Sequence, residues 1–145
     1  MKSASTILIN ILLIFVVGCG RSQKTGDDGG NSIFELMKTV SNNDVKWTRG
    51  HYGITNSLSQ DAREAVRELA SMSKPEVYRI LYKYLDDKDR FVVAHVFFEA
   101  LTGTTVSLSS TKYGDLEVDF SSDGKTSVPV GQIPVLKKKW EPYTK

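Results

Sequence analysis

The sequence predicts an α+β fold that is mainly helical, with antiparallel helix pairs followed by a small C-terminal β-hairpin or meander. Apolar residues recur at helical spacing through most of residues 33–103. Beyond this segment the spacing changes to the alternation that is typical of strands. The pair Asp123-Gly124 interrupts the alternation, and it tolerates the positive φ of tight hairpin turns. We therefore predict one globular domain over residues 33–145, whose last part, 104–145, forms the hairpin and a C-terminal cap.

The first predicted helix spans residues 33–41. Its apolar residues lie at helical intervals, and Ser32 and Glu35 have the spacing of a capping box at its start. The apolar positions are Ile33, Leu36, Met37 and Val40. Residues 41–57 contain glycines and asparagines without a sustained period, so we predict a loop or an irregular connector there.

Three more helices are predicted before residue 104. The first begins at Ser59 and has apolar residues on one face and charged residues on the other. The second begins near Ser73, with Pro75 in its first turn, where proline removes no helical hydrogen bond. The third, residues 91–101, is apolar on nearly every face and is followed by Gly103, a residue suited to a helix C-cap. We expect this third helix at the centre of the packed structure.

The C-terminal part is predicted to contain two or three short antiparallel strands, with a hairpin near residues 115–130. The alternating apolar positions are Val106, Leu108, Leu116, Val118 and Phe120. Pro134 limits a short helix or extended cap on its N-terminal side. We expect the small sheet to cover an apolar face of the helical pair.

Residues 75–103 consist of a helix with a leucine-rich stripe, a tight turn "DDKD" and a second helix. The second helix opens Arg-aromatic-Val-Val-Ala and closes Glu-Ala-Leu-x-Gly. The segment resembles a HEAT repeat, and the helix from Ser59 could be half of an earlier unit. The resemblance implies a helical surface that binds other proteins. A solenoid needs about three or more units of about 40 residues, so we do not expect an extended concave surface.

The N-terminus carries the pattern of an export signal. Lys2 precedes an apolar run, residues 7–17, which is shorter than the about 20 residues of a membrane span but suits a signal core of about 7–15 residues. The run ends in "VVGC", residues 16–19, which resembles the lipobox of bacterial lipoproteins. The resemblance implies cleavage between Gly18 and Cys19, a diacylglyceryl group on the Cys19 sulfur and acylation of the new amine, for instance with palmitate. An ordinary secretory signal with a chance cysteine is the alternative.

Residues 1–18 are thus interpreted as a lipoprotein signal peptide, and residues 19–32, which are polar and glycine-rich, as a lipidated flexible tether. The resemblance implies anchorage through Cys19 in a bacterial envelope membrane, facing the periplasm or the exterior. The absence of Asp after the cysteine favours the outer membrane of a Gram-negative cell. Without the signal, the 19 basic residues become 18 against 17 acidic ones, a balance that gives no case for nucleic-acid binding.

No cofactor or metal site is predicted. The stretch "DGKT" lacks the glycine that a phosphate loop places five residues before Gly124. The run "DDKD", residues 86–89, lacks the remainder of a calcium loop, and the dipole of the following helix explains its acidic residues. His95 and Glu99 lie one helical turn apart and could act as acid and base or share a metal. A buried histidine with one satisfied ring nitrogen is the other interpretation.

The stretch "WTRGHYG" is the candidate binding loop, because loops that present aromatic and charged side chains often bind partners. Its candidate binding residues are Trp47, Arg49, His51 and Tyr52. The alternative is that the two large aromatic side chains, Trp47 and Tyr52, pack into the helical core. The stretch "KKKW", residues 137–140, could contact anionic lipid head groups, but three lysines are fewer than the about 4–8 of such patches. A solvated face is therefore favoured.

These patterns together favour a lipid-anchored protein-interaction module of the cell envelope, with the membrane and an envelope protein as its partners. The alternative is a small envelope enzyme or ligand-binding protein that uses His51 or His95. No residue is assigned a catalytic role, because the sequence has no nucleophile elbow and no convincing pair of carboxylates.

Overall fold

A computed structural model describes residues 28–104, 109 and 111–145. Its α-helices are α1 Asp28–Lys38, α2 Gln60–Ala70, α3 Lys74–Tyr84, α4 Phe91–Thr102 and α5 Ile133–Trp140. Its strands are β1 Val45–Gly50, β2 Gly53–Leu58, β3 Lys112–Tyr113, β4 Leu116–Glu117, β5 Asp119–Phe120 and β6 Thr126–Ser127. Short 3-10 turns lie at Asn42–Asp44, Val130–Gln132 and Glu141–Thr144. The predicted fold class, mainly helical α+β, is confirmed.

The helices form two stacked pairs. The first pair is α1 and α2, and the second pair is α3 and α4; the two helices of each pair contact each other. The pairs stack because α1 packs against α3 and α2 packs against α4. Helix α4 is buried along residues 91–99, as its apolar sequence predicts. Other core side chains come from one face of each remaining helix: Ile33, Met37, Ala62, Ala65, Leu69, Val77, Ile80, Leu81, Leu136 and Trp140. Val40, just after α1, joins them.

The predicted limits of α2, α3 and α4 are confirmed to within about two residues, the usual uncertainty of helix ends. The Ser59 hydroxyl accepts a hydrogen bond from the backbone N–H of Ala62, so it caps α2. Gly103 ends α4 at φ 67°, in the left-handed region that favours glycine. These termini are local features, which is why the sequence predicts them.

The predicted start of α1 is wrong. The helix begins at Asp28, so Ser32 lies inside it and is not its N-cap, and residues 28–32 of the predicted tether are helical. This first turn lies close to α3. A Cβ atom on Gly29 would lie 2.9 Å from Glu76 Oε2, and one on Gly30 would lie 3.2 Å from Glu76 Oε1. The early turn of α1 therefore lies beside Glu76 of α3, a tertiary contact that helix propensity does not reveal.

The predicted loop at residues 41–57 is wrong as well, because most of it forms an antiparallel hairpin. Strands β1 and β2 pair from Val45↔Leu58 to Gly50↔Gly53, and His51 and Tyr52 form the turn. The turn lacks the usual signal, since glycine does not occupy it but follows it, and Gly53 takes the positive φ of 123°. The hairpin therefore depends on pairing and packing more than on its turn sequence.

The C-terminal hairpin is confirmed: β5 pairs with β6, and Gly124 adopts φ 81° in the turn. A second small hairpin, β3–β4, precedes it, with Gly114 at φ 58°. The predicted strand positions Val106 and Leu108 lie outside the described residues. The predicted short C-terminal helix is confirmed as α5, with Pro134 in its first turn.

The expectation that the small sheet covers the helical pair needs correction. Helix α5 packs against α4, and the Glu141–Thr144 turn packs against α3. Strand β4 adds only Leu116 to the main core cluster, whereas the C-terminal helix adds Leu136 and Trp140. The elements that pack on α3 and α4 from the C-terminal part are therefore mainly helical, and the small hairpins contribute less.

Candidate functional site

A groove of about 440 Å³ lies between β1, the start of α4 and the β5–β6 hairpin. We call it the β1 groove; its lining includes Lys46, Trp47, Lys88, Phe91, Thr126 and Val130. Cavities of about 300–1,000 Å³ are typical of binding sites. Its walls come from segments far apart in sequence, so only the fold assembles it.

Asn42 fixes one wall of the groove. Its Oδ1 accepts hydrogen bonds from the backbone N–H groups of Val92 at 2.9 Å and Val93 at 3.4 Å, and its Nδ2 donates to the Lys88 carbonyl at 2.8 Å. Asn42 therefore caps α4 from 50 residues upstream, while Arg90, the residue at the cap position, makes no such bond. The Asp87 carboxylate, in the acidic run before α4, bonds only with residues of the same turn among those described.

Within that run, the Asp87 carboxylate accepts a hydrogen bond from the backbone N–H of Asp89 at 2.9 Å and pairs with Arg90 at 3.0 Å. Asp86 pairs with Lys137 on α5 at 2.5 Å. The Asp87 carboxylate therefore shapes the turn, and the Asp86 carboxylate attaches α5. No cluster of three metal-ligating side chains occurs in the part of the chain that the structure describes.

The base of β1 is held by Asp44. Its carboxylate accepts hydrogen bonds from the Ser59 hydroxyl at 2.7 Å and from the Ser41 backbone N–H at 2.8 Å. Burial acts to raise the pKa of Asp44, but these hydrogen bonds together lower it below the usual value. The Asp44 carboxylate therefore stabilises the base of the hairpin by accepting these hydrogen bonds.

The β1 groove is electropositive. Lys46 and Lys88 make no ion pair with any residue of the described ranges, and no carboxylate lines the groove. The N-terminus of α4 adds a partial positive charge, since Phe91 and Val92 also line the groove. Trp47 and Val130 supply apolar surface beside these charges. The arrangement suits a ligand with apolar and anionic groups.

The four candidate binding residues do not form one loop surface. Trp47 is half-buried, lines the groove and contacts the Tyr113 ring edge-on at 5.2 Å. Arg49 lies over the Phe120 ring at 4.3 Å. His51 and Tyr52 form the hairpin tip, where their rings are 5.1 Å apart and Tyr52 is 86% exposed. The core-packing alternative therefore holds for Trp47 and fails for Tyr52.

His95 and Glu99 belong to a buried network between α4 and α5. The Trp140 indole donates to His95 Nδ1 at 2.8 Å, and His95 Nε2 lies 3.1 Å from Glu99 Oε1. Because an indole nitrogen only donates, His95 Nδ1 carries no proton, and the ring proton sits on Nε2 toward Glu99. The Nε2 approach is poorly aligned, so it is an electrostatic contact without a well-formed hydrogen bond.

The same network takes up Lys139. Its ammonium lies 3.4 Å from Glu99 Oε1 and 3.1 Å from Asp115 Oδ2, and it is 22% exposed. Burial, and next the negative charge of Glu99, raise the pKa of Tyr113 to about 12, so the phenol stays neutral. We call His95, Glu99, Lys139 and Trp140 the α4–α5 network. It joins α5 to the central helix.

This network does not favour catalysis at His95. The side chain is 0% exposed and its Nδ1 is occupied by Trp140, so a substrate does not reach it. The interpretation of a buried histidine with one satisfied ring nitrogen is confirmed. His51 is exposed, and within the described ranges its only ring contact is Tyr52.

The "KKKW" stretch is also largely structural. Lys137 pairs with Asp86 at 2.5 Å and lies 5.0 Å from the Tyr82 ring centre, and Lys139 belongs to the α4–α5 network. The hydrogen bond to Asp86 raises the pKa of Lys137. Only Lys138 of the three lysines has no ion pair among the residues described, so the solvated-face interpretation holds for one lysine alone.

No family model, curated protein or solved structure matches this chain. Among the helices that the structure describes, none combines the length and apolar character of a bilayer-spanning segment. Gly18 and Cys19, the predicted cleavage and lipidation residues, lie outside the described residues.

Sequence reasoning missed three residues of this site: Asn42, Lys46 and Lys88. A lysine on an exposed strand or turn has no pattern that separates it from other surface lysines. Asn42 carries no signal either, because the helix that it caps begins 49 positions later along the chain. Trp47 is the one groove residue that the sequence singled out.

Proposed function

We propose that this protein is a lipid-anchored protein-interaction module of the bacterial cell envelope, and that the β1 groove is its contact surface. The main support for the interaction is that two lysines, Lys46 and Lys88, line the groove beside Trp47. Neither makes an ion pair with a described residue, and the groove lining has no carboxylate. Charges of one sign beside an aromatic side chain steer and anchor a complementary partner.

The lipid anchor rests on the lipobox-like residues 16–19. Cleavage before Cys19 and acylation would place the domain at a membrane that faces the periplasm or the exterior, the outer membrane in a Gram-negative cell. Several buried acyl chains anchor firmly, since each buried methylene contributes about 0.8 kcal/mol. The membrane is then one partner and an envelope protein the other.

The HEAT-like resemblance contributes a scaffold in this proposal. The α3–α4 pair contacts α1 and α2, and it also contacts α5 and the turn that follows α5, so these elements pack against much of it. The hairpin β1–β2, inserted between α1 and α2, forms a wall of the groove instead. The contact surface is therefore placed at the groove and not on the helices themselves.

The enzyme alternative has weaker support, because His95 is buried and His51 has no acidic partner among the residues described. A small-molecule ligand remains the second candidate function, carried by the volume of the β1 groove. If a small molecule and the protein partner both bind the β1 groove, each should displace the other in a competition experiment.

In-cell photo-cross-linking tests the contact surface. A photoreactive amino acid is placed at Lys46 in the full-length protein, and a matched control carries it at Arg67, which is exposed on α2 and does not line the groove. We expect one discrete cross-linked protein from position 46 and none from 67. Equal products from both positions, or none from either, would contradict the proposal.

Labelling with a palmitate analogue tests the anchor. Wild-type protein should incorporate the label and sediment with membranes, whereas Cys19→Ala should do neither. Loss of the position-46 cross-link in Cys19→Ala would show that the anchor sets the encounter. Unchanged processing and membrane association of Cys19→Ala would refute the anchor while leaving the groove proposal open to its own test.

A further inference from the structure

Among the described residues, the backbone of β1 has one open edge, and its first half, Val45 to Trp47, lines the β1 groove. Arg49 lines the adjoining cavity together with Glu117 and Asp119. Within the described part of the chain, strand β1 pairs only with β2, and β2 continues on its other side toward Ser109 and β3. The groove lining includes Val45, Lys46 and Trp47 of β1 but no residue of β2. The groove therefore lies on the side of β1 that faces away from its partner strand.

The register shows which backbone groups face outward. A two-residue turn closes the hairpin, so Gly50 and Gly53 form a hydrogen-bonded pair, and every second pair along the ladder from there does the same. In the pairs between them, the backbone N–H and C=O groups point away from the partner strand. The pair Arg49↔Ile54 is outward-facing by this count. The backbone N–H of Ile54 indeed donates to the Ser109 carbonyl at 2.9 Å, away from β1.

By the same count, the outward backbone groups of β1 belong to Val45, Trp47 and Arg49. The Val45 N–H donates a hydrogen bond to the Asn42 carbonyl. The backbone groups of Trp47 and Arg49 have no hydrogen-bond partner among the described residues. An open row of this kind is a template for another strand unless something blunts it.

Charge selects what the edge accepts. Lys46 and Lys88 make no ion pair with other described residues, and the start of α4 adds partial positive charge. Among the acidic residues next to groove residues in sequence, Asp44 is engaged with Ser41 and Ser59, Asp87 with Arg90, and Asp123 with Lys125. Asp89, beside Lys88, does not line the groove. An acidic chain therefore meets the two lysines without a carboxylate among the lining residues of the groove.

We propose that the β1 groove binds an extended acidic peptide segment, which adds as a strand to the open edge of β1. Backbone hydrogen bonds with Trp47 and Arg49 would supply the pairing, the Trp47 ring an apolar contact, and Lys46 and Lys88 the preference for acidic residues. This inference rests on the proposed interaction function and specifies the chemistry of the partner.

The test uses full-length protein purified in mild detergent and a panel of acetylated, amidated heptapeptides. The peptides alternate valine with one varied residue, which is Glu, Asp, Gln or Lys. Binding is followed by fluorescence anisotropy of a labelled member. We expect acidic peptides to bind at least about tenfold more tightly than their lysine counterparts, which is the ratio that 1.4 kcal/mol would give.

N-methylation separates strand addition from simple charge attraction. Methyl groups on alternate backbone amides remove donors from one edge of a peptide strand and leave the other edge intact. We expect one methylation register to weaken binding by about tenfold or more and the other to have less than about a threefold effect. Equal effects of both registers would overturn the strand-addition proposal.

Protein variants locate the binding. Lys46→Glu and Lys88→Glu should each weaken the best acidic peptide by about tenfold, while Arg67→Glu, the same charge change outside the groove, should leave it unchanged. No binding by any peptide below a Kd of about 1 mM, which is a weak −4.1 kcal/mol, would overturn the proposal. So would equal binding of inorganic phosphate at the same lysines, or a β1-edge dimer found by sedimentation.

The two proposals fail separately. A cross-linked protein at position 46 together with no peptide binding would leave the interaction function standing and remove strand addition. Peptide binding in the register-dependent manner without a cross-link would support the groove chemistry and remove the envelope-protein partner.

Discussion

The two ends of α4 carry the same kinds of side chain and use them in opposite ways. At its start, Lys46 and Lys88 lie unpaired around an open groove. Toward its end, Lys139 is paired with Glu99 and Asp115 and almost enclosed. The paired lysine joins α5 to the central helix, whereas the two lysines of the groove make no ion pair among the described residues. Of the conspicuous sequence features, His95 and Trp140 belong to the buried network, and Trp47 lines the groove.

The largest expected effect breaks the α4–α5 network at its aromatic member. Trp140→Ala removes a side chain that is 1% exposed, stacked on Phe98 at 4.8 Å and bonded to His95. We expect it to lower the free energy of unfolding by about 3–5 kcal/mol. Urea denaturation measures the loss. Trp47→Ala in the groove is the matched control, with an expected loss of about 1–2 kcal/mol, and equal losses would contradict the contrast between the two ends.

A matched pair of charge reversals sharpens the comparison. Lys139→Glu places a third carboxylate beside Glu99 and Asp115 in a nearly enclosed position. We expect a loss of about 2 kcal/mol, less than for a fully buried pair because Lys139 keeps some solvent contact. Lys46→Glu, at an exposed position without an ion pair, should stay within about 0.5 kcal/mol of wild type. A destabilising Lys46→Glu would mean that this lysine is structural.

The cap of α4 is expected to contribute less. Asn42→Ala removes the acceptor for Val92 N–H and the donor to the Lys88 carbonyl, so we expect a loss of about 1–2 kcal/mol in urea denaturation. It should also weaken peptide binding, because it loosens one wall of the groove. Asn43→Ala, one residue along and exposed, should change stability by less than about 0.5 kcal/mol. Similar losses for both would argue against the cap.

The smallest effect is a pH dependence at Tyr113. Its pKa is raised to about 12 in the folded protein from about 10, so the unfolded chain gives up this proton first. The stability that Tyr113 contributes is therefore present below about pH 10 and is lost as pH rises toward 12.

Tyr113→Phe should lack that part of the alkaline destabilisation, which unfolding at pH 8–11 would measure against wild type. Tyr52→Phe at the exposed hairpin tip is the control and should retain the wild-type profile. If Tyr113→Phe followed the wild-type curve over the whole range, the assignment of the alkaline loss to Tyr113 would be wrong.

The sequence predicts the helices because their signals are local. The apolar faces of α2 and α3, the all-round apolar α4 and the Gly103 terminus each depend on residues within a few turns. It does not predict the early start of α1, whose first turn lies beside Glu76 of α3, nor the β1–β2 hairpin, whose turn residues His51 and Tyr52 are not turn formers.

The site was predictable only in part, for the same physical reason. Trp47 stands out by its chemistry, and the buried interpretation of His95 follows from an apolar helix. The groove depends on β6, the start of α4 and β1 meeting in space, and on two lysines that lack partners. Partners and their absence are properties of the fold, so no spacing in the sequence indicates them.

Amide hydrogen exchange of the full-length protein with the best acidic peptide tests the central claim most directly, because it reports which backbone groups gain a hydrogen bond. The account predicts that exchange at Trp47 and Arg49 slows by about tenfold or more on binding, while Lys46 and Thr48, already in the ladder with β2, change little. Protection confined to α1 and α2, or no protection at the β1 edge when the peptide is bound, would contradict it.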